Sequence, residues 1–348
     1  MLTAIWNYLY LLPLFLLGFL FLVILYKKRK LRQQKMIELD EEEEIESLAN
    51  PIAITVILFM SLIYTAFLSP FSPIIPYPLD LITLIWYVAF LIFFAIICKK
   101  EGESYQGPKL ETKEESELPM KYELIRKMTH GVIIAISLVY IILGPLFMAF
   151  IDGLIDLDVG VEYYGQYTVV FFTVIAFLGL GTSEIVRVFF YPYYPLKGVK
   201  AIFRRKETGA ALGSHISLTV GCMATIFIYG PYYPEIVMAS ISISAIADGA
   251  ASIVGRRFGR HEYKTVFSRK RKTLEGLLTA TIVSFSLSFI FLIYRFGVYS
   301  FILAFIATLV VDIVDWLSLQ ISDNLLNPLL TSSTMVLGTI ILISLNLI

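Results

Sequence analysis

The sequence predicts an all-α protein, a polytopic transmembrane helical bundle of about ten spans, and three observations predict it. Of its 348 residues 57% are hydrophobic and 16% charged, against roughly 25% charged in soluble domains. Apolar runs of roughly 18 to 24 residues recur, each long enough to cross a ~30 Å hydrocarbon layer as a helix. The runs are continuous rather than alternating, which argues against a β-barrel. With the N-terminus outside, the connections on one side of the membrane hold all of the 28 Lys and Arg residues except Arg295, the asymmetry of a positive-inside topology.

The spans fall at roughly 2–26, 51–69, 79–98, 130–151, 167–190, 210–230, 234–254, 275–294, 297–318 and 329–348, where each run of about twenty apolar residues lies. The first run, Leu2 to Tyr26, lacks a basic n-region and exceeds a signal-peptide core, so it reads as a retained helix. Lys27 to Asn50 and Lys99 to Lys121 read as charged inner segments, solvated linkers or short surface helices. The basic run Lys27 to Lys35 suits anionic lipid equally well. Outer loops differ: Ser69 to Pro78 is proline-rich and Asp152 to Glu162 acidic. Formal net charge is zero, so no bulk field points to nucleic acid. Cys98 and Cys222 lie inside spans and build neither a disulfide framework nor a C-x-x-C site.

Polar residues concentrate at inner span ends. Asp248 falls in the last turns of the seventh span, where a carboxylate is costly and commonly functional, although the small residues Gly249 to Ser252 and Gly255 also suit helix packing. After it come Gly255, Gly259, Arg256, Arg257, Arg260, Lys264 and Lys272, the flexible backbone and positive charge that hold a polyphosphate. Thr273 and Glu275-Gly276 open the next span with a free helix N-terminus. Glu275 there is either a cap or, with Asp248, a magnesium ligand. No G-x-x-x-x-G-K-[ST] occurs, so this is not a P-loop enzyme.

Three more clusters share that side, and a pair of aspartates follows them. Arg126 and His130 lie four apart on one helix face, with Lys127 beside them. Glu184 and Arg187, three apart, form either a structural ion pair or part of a site. Glu207, Thr208 and Gly209 introduce a span containing Ser214 and His215. Asp312 and Asp315 sit three apart on the ninth span, ahead of Asp323, and offer either a proton or metal role or a polar seam pairing with an arginine.

Together, RKMTH (Arg126 to His130), SEIVR (Ser183 to Arg187), ETGAALGSH (Glu207 to His215), ADGAASIVGRRFGR (Ala247 to Arg260), KTLEG (Lys272 to Gly276) and DNLLNPL (Asp323 to Leu329) resemble, in order and spacing, the CTP-dependent polyprenol kinases. Dolichol kinase is the nearest branch, with phytol kinase and CTP-dependent diacylglycerol kinase as relatives. The resemblance spans Met120 to Leu330 and implies that 121–348 is the catalytic unit and 1–120 accessory N-terminal helices with charged linkers. It implies transfer of the γ-phosphoryl group of CTP to the terminal hydroxyl of dolichol or another polyprenol. The products are CDP and a polyprenyl phosphate that carries sugars for glycosylation. It places the nucleotide between Asp248 and Gly276, on the cytosolic face of an endoplasmic-reticulum or archaeal-type plasma membrane.

On that basis Gly255, Arg256, Arg257, Gly259, Lys264, Lys272, Thr273, Glu275, Gly276, Arg126 and Lys127 are expected to bind nucleotide. Asp248 and Glu275 are expected to hold Mg²⁺, and Asp323 or His130 to accept the alcohol proton. CTP, the polyprenol and membrane lipid are the expected partners, and nucleic acid is not. A phosphatidate-type cytidylyltransferase would use the same CTP and release pyrophosphate. A transporter would bind no nucleotide.

Overall fold

The computed structural model describes residues 9–33, 41–69, 75–104, 132–155, 160–195, 212–268 and 271–348. Hydrocarbon leaves backbone polar groups no water to bond, so apolar runs close their own hydrogen bonds as helices. Helix α1 is Leu11–Gln33, α2 is Glu41–Ile63 with a π-helical turn at Tyr64–Leu68, and α3 is Leu79–Glu103. Helix α4 comprises Val132–Leu138, a π turn at Val139–Leu143 and Gly144–Ile155; α5 is Tyr164–Phe189 and α6 is Ser214–Tyr229. Helix α7, Pro234–Ser242, starts on a proline, which suits a first helical turn. It runs through a π turn, Ile243–Ala247, straight into α8, Asp248–Phe258. Strands β1, Glu262–Lys264, and β2, Arg271–Thr273, form an antiparallel hairpin. Helices α9, Leu274–Phe296, α10, Ser300–Leu317, and α11, Asp323–Ser344, complete the described fold.

Among the described residues the protein is therefore all-α and polytopic apart from one short hairpin. Among the described residues, seven helical stretches are long and apolar enough to cross a membrane. One of them, Leu274–Leu317, is a helical hairpin, α9 and α10 turning at Gly297. Gly297 has φ +51°, a conformation a β-carbon disfavours. Leu11–Lys27 and Ser214–Tyr229 are apolar but shorter.

Two apolar clusters hold the helices together. The larger joins Leu14 and Phe21 of α1, Leu58 of α2, Phe177 of α5 and Met223 and Phe227 of α6. The second joins Ile236 and Ile243, Leu292 of α9, Leu303 and Val311 of α10 and Met335 of α11, so α7–α8, α9, α10 and α11 form a four-helix unit. Chain direction alternates, which gathers the basic span ends. Lys27 bonds the Val188 carbonyl and lies 5.0 Å from the Phe189 ring, and Ser322 N–H donates to the Asn50 side chain at 2.7 Å. Arg295, the exception in the charge count, lies at the far end of α9, roughly 34 Å along the axis. There it bonds Glu235 at 2.9 Å and the Tyr232 carbonyl at 3.0 Å.

Candidate active site

The candidate site is the end of the four-helix unit where α8, the hairpin and α9 meet. Helices α8 and α9 approach closely because the crossing is built from glycine. A β-carbon on Gly255 would lie 2.8 Å from Thr273 Oγ1, and one on Gly276 would lie 3.1 Å from the Ala251 carbonyl oxygen. On Gly259 it would lie 2.5 Å from Thr273 Cγ2 at the start of α9. Three glycines expected at the nucleotide are thus also what lets the helices touch. Thr273 caps α9 by accepting from Gly276 N–H at 3.3 Å, and Leu274 N–H donates to the His261 carbonyl at 2.9 Å. The hairpin is therefore stitched to the helix that follows it.

Glu275, in the first turn of α9, turns to the hairpin. Its Oε1 lies 2.8 Å from His261 Nδ1, and Oε2 accepts weakly from His261 N–H at 3.4 Å. Tyr263 and Lys272 face each other across the two strands and share a hairpin face. Both reach Asp315 in the last turn of α10: Tyr263 O–H donates to Oδ2 at 2.9 Å, and Lys272 Nζ bonds Oδ1 and, at 3.2 Å, the Asp315 carbonyl. Burial, and then the Asp315 carboxylate beside it, push the Tyr263 phenol above its ordinary value. One helical turn deeper, Asp312 accepts from Thr281 Oγ1 at 3.0 Å. The two aspartates of α10 thus form a polar seam. Its partners are a lysine, a tyrosine and a threonine in place of the arginine the sequence suggested.

Asp248 is the first residue after the π turn and is half-buried. It precedes Ala251, which touches Gly276, by three residues, so it sits about 4.5 Å deeper than the glycine crossing. Such π turns recur at functional sites because they re-aim the side chains that follow. Arg256, Arg257, Arg260 and Lys264 are exposed around the crossing, while Lys272 is half-buried. Asp323, exposed at the start of α11, accepts from Asn324 N–H at 2.9 Å. One turn on, Asn327 Oδ1 is buried and meets no hydrogen-bond partner among the described residues. Arg126, Lys127 and His130 lie outside the described residues, as do Glu207, Thr208 and Gly209.

A separate buried centre joins α5 to α6. The Glu184 carboxylate accepts from Arg187 Nε at 2.8 Å and Nη2 at 2.7 Å, and from Gly213 N–H at 2.6 Å. His215 Nε2 lies 3.6 Å from it. The ion-pair reading of Glu184 and Arg187 holds, and the carboxylate also sits on the N-terminus of α6.

A stretch of 64 residues in this chain is 44% identical to a phytol kinase of Synechocystis sp.. The stretch is 18% of this chain and spans 27% of that relative's length. No protein-family model matches the chain, and no solved structure does.

Sequence reading named Asp248, the basic residues, the glycines and Lys272. It did not name Tyr263, His261 or Thr281 as site groups. Tyr263 and His261 sit in the hairpin RHEYK, where only strand register could show which residues they meet. Thr281 lies 31 residues from Asp312, and only the packing of α9 on α10 joins them.

Proposed function

We propose that this protein is a membrane-embedded kinase of long-chain isoprenoid alcohols, taking the γ-phosphoryl group of CTP and giving CDP and a polyprenyl phosphate. The similarity to a phytol kinase carries the reading. Seven membrane-crossing helical stretches and a basic hairpin at their ends support it. Dolichol or a related polyprenol is the proposed acceptor, on the ETGAALGSH and DNLLNPL segments, with phytol as the alternative within the same chemistry.

Phosphoryl transfer asks a protein chiefly to position two oxygens about phosphorus and to neutralise charge. In this reading Arg256, Arg257, Lys264 and Lys272 bind phosphate oxygens at the membrane surface. The tail of the alcohol stays in hydrocarbon, and its hydroxyl meets the phosphate at the level of the helix ends. The bond from Pγ to the β-bridging oxygen breaks as the alcohol oxygen bonds Pγ. The alcohol proton passes to a carboxylate or imidazole, with Asp323 and His130 the proposed acceptors.

Among the described residues no three His, Cys, Asp or Glu groups converge as a metal cage. Magnesium takes one or two carboxylates and completes its shell with phosphate oxygens and water, and the carboxylates of α8 and of the first turn of α9 are Asp248 and Glu275. Asp248 would hold it, and Glu275 would do so while sharing its carboxylate with His261. Magnesium, when bound, would neutralise the phosphate oxygens as charge moves toward the leaving group.

The test is purified protein in detergent with γ-labelled CTP, Mg²⁺ and either dolichol or phytol, resolved by thin-layer chromatography. Label in the lipid with CDP formed supports the proposal, and the better acceptor fixes the substrate. Label released as pyrophosphate makes the protein a cytidylyltransferase, and nucleotide left intact with both alcohols ends the kinase reading.

A further inference from the structure

A carboxylate near the C-terminus of a helix works against the helix dipole, which favours cations there. Asp315 occupies such a place in the last turn of α10 and collects a lysine and a phenol from two different strands. Two further bonds tie the same hairpin to the same helix end. Val266 N–H donates to the Trp316 carbonyl at 3.1 Å and Phe267 N–H to the Leu317 carbonyl at 3.0 Å. These carbonyls belong to the last turn, which has no helical donors of its own. Ser318 follows in the left-handed conformation, φ 46°, and its N–H returns to Val314, closing α10 under the hairpin.

We infer that Asp315 is a positioning residue, the latch that fixes the β1–β2 hairpin on α10 and so aims the Lys272 ammonium, and the basic strand around it, at the nucleotide phosphates. The inference rests on the proposed kinase reading for its ligand. The latch itself rests on geometry alone. Tyr263 and Lys272 are register partners, so one carboxylate holds both strands in a single alignment. Without it, two strands of three residues each keep their own ladder, the two loop amides and the His261 bonds to α9, while the Lys272 ammonium and the Tyr263 hydroxyl lose the carboxylate that holds them together. A hairpin of that size has little stability in isolation. Asp315 and Lys272 are 29% and 25% exposed at the side chain. Phosphate oxygens can therefore reach the ammonium from the water side while Asp315 orients it from below.

The experiment compares wild type, Asp315→Asn, Tyr263→Phe and the double variant as full-length protein in detergent. Hydrogen exchange is followed over 262–273, and initial rates are taken against CTP and against the alcohol. Asp315→Asn is expected to speed exchange across the hairpin about tenfold or more, with the rest of the chain unchanged. It should raise KM for CTP about tenfold and leave KM for the alcohol in place. Tyr263→Phe should do the same more weakly and add nothing in the Asp315→Asn background. A residue that merely kept the protein folded would lower the active fraction and leave KM for CTP unmoved. Unchanged hairpin exchange in Asp315→Asn, a KM for CTP within twofold of wild type, or full additivity of the two variants would overturn the latch. Should Asp315→Asn not fold, Tyr263→Phe keeps the charge pair and decides alone by the same two readouts. A wild type that transfers no phosphate would end the kinase reading while hairpin exchange still judged the latch.

Discussion

Replacing Glu184 by alanine removes the acceptor of three hydrogen bonds and the charge beside His215 at once. Arg187 loses two hydrogen bonds, Gly213 N–H loses its bond of 2.6 Å, and His215 loses the charge beside it. The side chains of Glu184 and Arg187 are 1% and 3% exposed, so water does not replace what is lost. Breaking a buried pair by removing one partner costs about 3–5 kcal/mol. Arg187 keeps a further partner, which points to the lower end. The orphaned amide of Gly213 returns about 1–3 kcal/mol to the loss, and a total of about 4–6 kcal/mol is expected. Glu184→Gln keeps an oxygen for Gly213 and should lose less. The double variant Glu184→Gln, Arg187→Met removes both charges, and an uncharged replacement of a buried pair is often near neutral. It should therefore recover at least half of the Glu184→Ala loss. The assay is equilibrium unfolding in mixed SDS and neutral-detergent micelles, followed by helical circular dichroism. A Glu184→Ala protein within about 1 kcal/mol of wild type would refute the reasoning. So would a double variant as unstable as the sum of its single changes, because independent sites add and a coupled pair does not.

Asp248→Asn should abolish phosphoryl transfer while gel filtration and circular dichroism show a folded protein; retained turnover removes Asp248 from the metal role. Gly221→Ala would put a β-carbon 2.9 Å from the Leu325 carbonyl oxygen and 3.0 Å from that of Asn324. Helices α6 and α11 must then separate, at about 1–3 kcal/mol, read as a lower midpoint of heat-induced aggregation in detergent. The raised phenol of Tyr263 stays neutral in the fold where the unfolded chain would ionise. The stability it contributes is full below about pH 10 and is lost as pH climbs from there toward the raised value. Unfolding midpoints of wild type should fall faster than those of Tyr263→Phe as pH rises from about 10 to about 12. Chelation by EDTA should stop transfer, and added Mg²⁺ should restore it.

The positions of the apolar runs were legible before any coordinates, because hydrocarbon admits a spanning chain only as a self-bonded helix of about twenty residues. The charge asymmetry between the predicted loops was equally legible, since it is a property of order along the chain. Asp248 also stood out, because a carboxylate inside an apolar run is costly wherever the run packs. What the glycines do was only half legible. The sequence around Gly255 and Gly276 suits both a phosphate loop and a close helix crossing, and the atoms a β-carbon would strike show the crossing.

Partners distant in sequence needed the fold. The Lys272–Asp315 pair is separated by 43 residues and the Tyr263–Asp315 pair by 52, and no periodicity along the chain links them. Strand register decided that Tyr263 and Lys272 share a face, and the packing of α9 on α10 decided which carboxylate lies beneath them. Sequence alone thus determined how deep each polar group sits, because depth follows from position along a span. Tertiary structure decided which group each one meets, because that depends on how helices rotate and pack against one another.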